Sequence, residues 1–286
     1  IRLDSVEVLQ HQLNNVRGPY SILDQELTIG SKRVLIPDPP EIPDSQRLIA
    51  SAIGGDLTLD SVAILNEVPS YHLIATIASG RLEEYARRYL PGARNLHGVI
   101  NGWIDLHGGG DAGRGAVTGD DVDSISGKGQ LQISPAALYE LPVLVQVFRV
   151  LSFVPTDRTA FTYALLDFTV DRGAFWFKTI DLVGDTISMR GKGQARFDGK
   201  LALDFYSMLG RNRPRIPVFN ILVDEATRGW VGVEVGGTVS APQARTKALP
   251  TIDETLRRFL GAFDTVRRPP IPRVRRAPAP PRLPSL

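Results

Sequence analysis

The sequence predicts a mainly-β protein with one long, curved antiparallel sheet shaped as a β-groove, together with a few short amphipathic helices. Most of the chain alternates apolar and polar residues with a period of two, which is the signature of a half-buried strand. Turn signals such as Asp171-Arg172-Gly173 and Asp198-Gly199 separate these runs at short intervals, as in hairpins. The predicted sheet therefore has one apolar face and one polar face.

Residues 1–95 are predicted to form an upstream segment of this groove. One strand pattern follows Gly54-Gly55, the next covers Leu73–Ile77, and a short helix is predicted near 81–89. Leu90-Pro91-Gly92 gives that helix a stop signal, because proline and glycine do not continue a helix.

Residues 96–265 are predicted to form a second β domain with helices near 135–151 and 251–263. Ser134-Pro135 is interpreted as the start of the first helix, and Thr251 with Glu254 forms a capping box for the second. Between them lies a meander of short strands, and Trp230–Val239 is predicted to be a closing strand.

The apolar face of this meander supplies the candidate site residues. In the run from Ile187 to Asp198, the odd-numbered positions are apolar or glycine, whereas Ser188, Arg190 and Lys192 fall on the polar face. The nine candidates are Phe168, Phe175, Phe177, Ile187, Met189, Phe197, Leu201, Leu203 and Phe205.

Something must cover these side chains, because each would cost roughly 1.5–3 kcal/mol if left in water. One possibility is a second sheet or the 135–151 helix, which would make the face an ordinary core. The other is a mobile apolar ligand such as an acyl chain, whose transfer into water costs ~0.8 kcal/mol per CH₂ group.

Composition excludes several chemistries. None of the 286 residues is cysteine, which excludes disulfides, cysteine-ligated metals and thiol nucleophiles. The four histidines show no metal-ligand spacing, and the sequence has no Gly-x-Ser-x-Gly motif. We therefore predict a protein that is not an enzyme and has no cofactor and no metal site. No apolar run approaches the roughly 18–20 residues of a membrane helix.

A proline- and arginine-rich tail carries the positive charge. Residues 267–286 hold six Arg, seven Pro and no acid, so the net charge of +2 leaves −4 on residues 1–266. Residues 266–286 are predicted to be a disordered arm. Such an arm is either a solvated terminus or a contact for an anionic membrane surface or another acidic partner; no specific nucleic acid is implied.

A tetrapeptide occurs twice. Gly127-Lys128-Gly129-Gln130 and Gly191-Lys192-Gly193-Gln194 each follow an Ile-Ser pair and lie 64 residues apart. Glycine in the middle of a strand allows bending or the close approach of another chain.

Several segments resemble the C-terminal region of AsmA-like proteins. The run from Ala137 to Ser152 is similar to the helix of that family, and Leu166–Val170 resembles the strand that follows it. The hairpins between Phe175 and Leu203 and the segment Val233–Pro242 are also similar to family elements. The resemblance covers roughly residues 70–265.

This resemblance implies a bridge-type lipid transfer protein of the bacterial envelope, related to TamB-like proteins. Such proteins are anchored in the inner membrane by an N-terminal helix, and their curled sheet carries phospholipid across the periplasm for outer-membrane biogenesis. The first residue is Ile1, so we expect the chain to be a piece of a longer protein whose anchor lies elsewhere. The family has no catalytic residues to transfer.

A second hypothesis belongs to a different functional class. The protein could be a scaffold or assembly factor for outer-membrane proteins, in which an exposed edge of the sheet adds a strand to a client. This hypothesis predicts that an edge strand matters more than the apolar face.

Overall fold

Fifteen strands form a single antiparallel sheet in the computed structural model. The structure describes residues 1–8, 11–36, 42–67, 69–90, 92, 95–109, 122–153, 161–184, 187–209 and 230–247. All of them belong to one compact unit, Ile1–Leu249, whereas a second unit, Pro250–Leu286, lies wholly outside the described residues. The predicted helix at 251–263 and the predicted tail at 266–286 therefore also lie outside them.

The strands follow one another along the chain with few interruptions. In order they are β1 Arg2–Val8, β2 His11–Arg17, β3 Tyr20–Leu23, β4 Glu26–Ile29, β5 Leu48–Ala52, β6 Gly55–Ile64, β7 Ser70–Arg81, β8 His97–Gly109, β9 Ser126–Ala137, β10 Tyr163–Asp171, β11 Ala174–Val183, β12 Ile187–Arg196, β13 Leu201–Leu209, β14 Trp230–Gly237 and β15 Pro242–Lys247.

The sheet is a meander from β5 to β15, and its ends do not pair with each other within the described residues. The prediction of a mainly-β fold with one long antiparallel sheet is therefore confirmed. One detail of the prediction was wrong, because the strand at Trp230–Gly237 does not close the sheet. Strand β15 follows it and is the last strand of the sheet among the described residues; Pro242 and Lys247 on it are residue types that discourage further pairing.

The two α-helices in the described residues are α1, Leu82–Tyr89, and α2, Pro142–Val150. The helix predicted near 135–151 thus begins later than expected, because residues 135–137 still belong to β9. Pro142 occupies the first turn of α2, where its fixed φ suits the helix and its missing N–H removes no helical hydrogen bond. Neither helix is long and apolar enough to cross a membrane.

Both helices contribute to one large hydrophobic core, called the main core below. Helix α2 packs against β14 and β15, and α1 packs against β8. The main core includes Leu82, Ala86, Ile100, Ile133, Leu144, Val147, Phe148, Leu151, Ile180, Leu182, Ile187, Met189, Leu201, Leu203, Phe205, Val233 and Val235. A second, smaller cluster consists of Val16, Leu48 and Ala50, with Leu57 and Leu59 packed against it.

In the N-terminal part of the sheet, residues 30–47 form a loop, called the excursion below, that interrupts the strands paired with one edge of β6. Strands β4 and β5 both pair with β6 along the same edge, with Ile29 opposite Ser61 and Leu48 opposite Leu59. Residues 30–47 leave the sheet between these strands and include two short 3₁₀ helices, Lys32–Leu35 and Asp44–Gln46. Asp60 is the β6 residue at the break.

β-Bulges interrupt several strand pairs. The register shifts between Asp167 and Phe168 in β10, between Phe177 and Ile180 in β11, and between Ile77 and Gly80 in β7. A bulge bends its strand and increases the local twist. In β10 and β11 the bulges separate residues of the main core, such as Ile180, from the phenylalanines that lie outside it or at its border.

Candidate functional site

The nine predicted site residues divide into two groups. Ile187, Met189, Leu201, Leu203 and Phe205 are buried members of the main core. Phe168, Phe175, Phe177 and Phe197, called the phenylalanine cluster below, are half-buried or exposed. The first group belongs to the same core as the buried residues of α2. For these five residues, the helix and not an external ligand therefore covers the apolar face.

The cover over the first group is tight. Ile187 and Met189 are fully buried, as are Val233 and Val235 on β14. From α2, Leu144, Val147 and Phe148 face the same core, whereas Val145 lies on the outer side of the helix. The apolar face at β12–β14 is therefore an ordinary packed core.

The phenylalanine cluster has a different setting. Ring centroids are 5.4 Å apart for Phe168 and Phe175, 6.0 Å for Phe168 and Phe177, and 5.2 Å for Phe175 and Phe197. The interplanar angles of these three pairs are 60–80°, which is the favourable edge-to-face arrangement. Phe197 is 37% exposed. These rings thus form a structured aromatic surface that stays in contact with solvent.

The strand register extends this surface across the sheet. One residue from each of eleven neighbouring strands, β5 to β15, lies directly opposite the next, and all eleven are apolar or glycine. The eleven positions, called the apolar row below, are Leu48, Leu59, Ala75, Ile104, Gly129, Phe168, Phe177, Gly193, Leu203, Val235 and Ala244.

The two ends of the apolar row are covered and its middle is not. Leu48 belongs to the small N-terminal cluster, and Leu203 and Val235 belong to the main core. Ala75, Ile104, Gly129 and Phe168 belong to neither cluster, and this part is called the open stretch. Ala75, Ile104 and Phe168 are half-buried. The open stretch is the part of the apolar face best placed to meet a ligand.

In each copy of the repeated tetrapeptide, one glycine lies against a phenylalanine ring of a neighbouring strand. A Cβ atom added to Gly129 would lie 2.6 Å from the Phe168 ring, and one added to Gly191 would lie 2.6 Å from the Phe205 ring. Both distances are shorter than van der Waals contact, so each phenylalanine ring lies over its glycine. The two glycines hold different positions in the tetrapeptide, the third in the first copy and the first in the second, but each leaves room for a ring from the neighbouring strand.

Charged groups lie at the turns beside the phenylalanine cluster. Asp198 accepts hydrogen bonds from Lys200 through its side chain and backbone, and these bonds, with the charges of Lys200 and Arg196, hold the pKa of the carboxyl below its usual value. At the neighbouring turn, Arg172 Nε lies 2.9 Å from Asp171 Oδ2. A ligand on the aromatic surface would thus have polar groups within reach at the end of the hairpins.

The opposite face carries ion pairs between strands. His72 Nε2 lies 2.7 Å from Asp105 Oδ1, and Lys247 Nζ lies 2.7 Å from Asp204 Oδ1. Arg245 donates to both carboxylate oxygens of Glu234, and this bond holds the pKa of Glu234 below its usual value. This face suits water rather than an apolar ligand.

One part of that face corrects the sequence analysis. Ser188 and Arg190 were expected on the polar, solvent-facing side, but they are only 9% and 3% exposed. Arg190 donates through Nε and Nη2 to the two oxygens of buried Asp181, each at 2.6 Å. Burial, with a smaller effect of the Asp181 charge, raises the pKa of neighbouring Tyr163. A charged residue is tolerated there because its partner lies directly opposite on β11.

No family model, no curated protein and no solved structure matches this chain. In the part of the chain that the structure describes, no three His, Asp or Glu side chains are grouped as metal ligands. The described surface offers side chains suited to binding and holding an apolar molecule.

Sequence reasoning missed the N-terminal half of the apolar row. Leu59, Ala75 and Ile104 were not among the nine candidates, although each lies in a segment with strand periodicity. The missing information was the register between strands, because only register shows that these residues and Phe168 occupy one line across the sheet. No short turn fixes this register, because α1 lies between β7 and β8 and α2 lies between β9 and β10.

Proposed function

We propose that the open stretch binds the acyl chains of phospholipid, and that the protein is a periplasmic β-groove conduit for lipid in outer-membrane biogenesis. The observation that carries this proposal is the apolar row, which crosses eleven strands without a polar residue. The resemblance to AsmA-like proteins adds the lipid as cargo, the bacterial envelope as the location and an inner-membrane anchor on the parent protein.

The dimensions of the open stretch suit an acyl chain. Three strand spacings separate Ala75 on β7 from Phe168 on β10, and each is about 4.7–4.9 Å, so the open stretch spans roughly 14 Å. An acyl chain in one leaflet occupies about half of the ~30 Å hydrocarbon core of a bilayer. A chain lying across the strands would therefore find apolar contact along its whole length.

The distribution of charge supports an orientation in which the acyl chains lie on the apolar row. The cross-strand ion pairs of Asp105, Asp204 and Glu234 lie on the opposite face, and Arg196, Asp198 and Lys200 lie at the hairpin ends. A phospholipid can thus place its acyl chains on the apolar row and keep its headgroup in water near the turns.

Site-specific photocrosslinking tests this proposal. A photoreactive phenylalanine analogue would replace Ile104 or Phe168 in the open stretch, and the protein would be incubated with vesicles of phosphatidylethanolamine and phosphatidylglycerol. Matched controls replace Trp103 and Trp176, which are 38% and 40% exposed on the opposite face. A further control replaces Phe205, which lies in the main core.

We expect lipid adducts, identified by mass spectrometry, at Ile104 and Phe168 and none at the three control positions. Equal labelling of Trp103 and Ile104 would indicate non-specific contact with vesicles and contradict the proposal. Adducts of Phe168 only with its own chain would mean that the face is closed in solution, which also contradicts it.

A second candidate function rests on a free strand edge. Within the part of the chain that the structure describes, strand β3 pairs with β4 alone, and its large side chains Tyr20, Ile22 and Leu23 are 56–68% exposed. An exposed apolar edge favours the addition of a strand from another protein, as a scaffold or assembly factor for outer-membrane proteins would require. Under this hypothesis Ile22→Lys abolishes client capture, whereas Ile104→Asp leaves it unchanged; the lipid conduit predicts the reverse order of effects on lipid crosslinking.

A further inference from the structure

Asp60 joins the two ends of the excursion formed by residues 30–47. Its Oδ1 accepts hydrogen bonds from the backbone N–H of Ser31 at 2.9 Å and from the Ser31 hydroxyl at 2.8 Å. Its Oδ2 accepts a hydrogen bond from Arg47 Nε at 2.8 Å. The Asp60 side chain is fully buried, so the carboxylate acts as an internal clamp between the start and the end of the excursion.

Two positively charged side chains face the single negative charge of Asp60. Arg33 Nη1 lies 4.0 Å from the same Oδ2 that accepts the bond from Arg47. The Arg33 and Arg47 side chains are 24% and 11% exposed. Among the described residues, two guanidinium groups thus share one carboxylate in a largely dehydrated site. Burying an unpaired charge is costly, so this arrangement favours a second negative group.

Three buried donors without a hydrogen-bond partner belong to residues near Asp60 in the described part of the chain. Arg33 Nε, Arg47 Nη2 and Thr58 Oγ1 are buried and have no hydrogen-bond partner among the described residues. Thr58 precedes Asp60 by two positions on β6 and therefore projects from the same face. It is also diagonal to Arg47 across the pair of β5 and β6, within the reach of a long side chain. Of the five such atoms in the described residues, two belong to the arginines beside Asp60 and a third to Thr58 on the same face of β6.

We propose that the Asp60 clamp is a binding site for a small anion of chloride size, held by Arg33, Arg47 and Thr58. The free groups are two N–H donors and one hydroxyl, a set that an anion can satisfy by accepting from all three. The anion neutralises the surplus guanidinium charge and fixes the excursion against β6. The site lies on the opposite face from the apolar row, and it is independent of the proposed lipid binding.

Thermal unfolding of the full chain at increasing sodium chloride tests the site. Sodium gluconate holds the ionic strength constant, because its bulky anion does not fit a buried position. The test variant is Arg33→Gln, which removes the surplus charge and leaves the bond between Asp60 and Arg47. The matched control is Arg17→Gln, which removes an exposed arginine from neighbouring β2.

We expect chloride to raise the Tm of the wild type and of Arg17→Gln along a saturating curve, with no such rise for Arg33→Gln. Thr58→Val, which keeps the side-chain shape, should shift the midpoint of the curve to higher chloride concentration. Chloride NMR should show excess line broadening with the wild type that Arg33→Gln removes.

Three results would overturn the proposal. The first is the absence of any chloride-dependent rise in Tm for the wild type, and the second is an equal rise for Arg33→Gln. The third concerns Asp38 and Glu41, the acids of segment 37–41, which lies outside the described residues. If Asp38→Asn with Glu41→Gln lowered Tm as much as Asp60→Ala and chloride had no effect, the second negative group would come from the chain itself.

Discussion

Glycine and phenylalanine are paired residue by residue on the apolar face. The Phe205 ring occupies the space that a side chain at Gly191 would need, and both residues lie in the core region covered by α2. The pairing is thus a packing requirement of the sheet, and it explains why a strand interior accepts a residue that usually weakens it.

Gly191→Ala should therefore destabilise the protein by about 1–3 kcal/mol, because the added methyl group overpacks the core against Phe205. Urea unfolding followed by circular dichroism measures the change. In a Phe205→Leu background the same glycine substitution should cost less, because the ring that it meets has gone. Equal costs in both backgrounds would show that the strand backbone, and not the ring, requires glycine.

For single residues, the periodicity of the sequence assigned most side chains to the correct face of the sheet. It could place Ile187 and Met189 together, since alternation depends only on neighbours along the chain. It could not show that Arg190 is buried, because burial there depends on Asp181 lying opposite on another strand. Nor could it separate Phe205 from Phe168, since only the position of α2 makes one a core residue and leaves the other outside the main core.

Helix α2 is the element that decides which part of the apolar face is closed. Its buried residues Leu144, Val147 and Phe148 cover the C-terminal strands, whereas Val145 is 38% exposed. The amphipathic pattern of this segment was visible in the sequence, but its start was not. Ser134-Pro135 has the residue types of a helix start, yet the backbone at that point is still paired with β8.

Phe148→Ala should destabilise the protein by about 3–5 kcal/mol, since it removes a buried ring from the main core. Val145→Ala, on the outer side of the same helix, should stay within about 0.5 kcal/mol of the wild type. Denaturant unfolding of the two variants makes the comparison. Similar losses for both would mean that α2 has a further partner on its outer side.

The whole sheet combines regions of unequal packing. The C-terminal strands share the main core with two helices, whereas β1, β2 and β4 contribute apolar side chains to the small cluster around Val16, Leu48 and Ala50. Local unfolding begins where few apolar contacts are buried. The continuous backbone pairing therefore joins regions whose local stabilities differ.

Amide hydrogen exchange should show this difference directly. We expect the amides of β10–β13 to exchange slowly and those of β1–β4 to exchange early, at a lower free energy of opening. Mass spectrometry of peptic fragments can resolve the two regions. Uniform protection from β2 to β14 would instead indicate one cooperative unit across the sheet.

At the scale of the molecule, the fold class followed from the sequence but the apolar row did not. Alternation and turns such as Asp198-Gly199 are local signals, and they suffice for a meander. The row depends on the register of ten successive strand pairs and on bulges such as the one between Phe177 and Ile180. Each bulge shifts the register, and no local pattern marks where it falls.

The excursion of residues 30–47 also has a practical consequence for protein engineering. The chain leaves the sheet at Gly30 and returns at Leu48, and Gly30 lies so close that an added Cβ would come within 3.0 Å of the Leu48 nitrogen. Many folded domains have their termini close together, so they can be inserted at such a position. A fluorescent protein grafted between Ser31 and Arg47 would leave the bonds of both residues to Asp60 in place. The chain thus contains an internal position for a reporter, on the opposite face of the sheet from the apolar row.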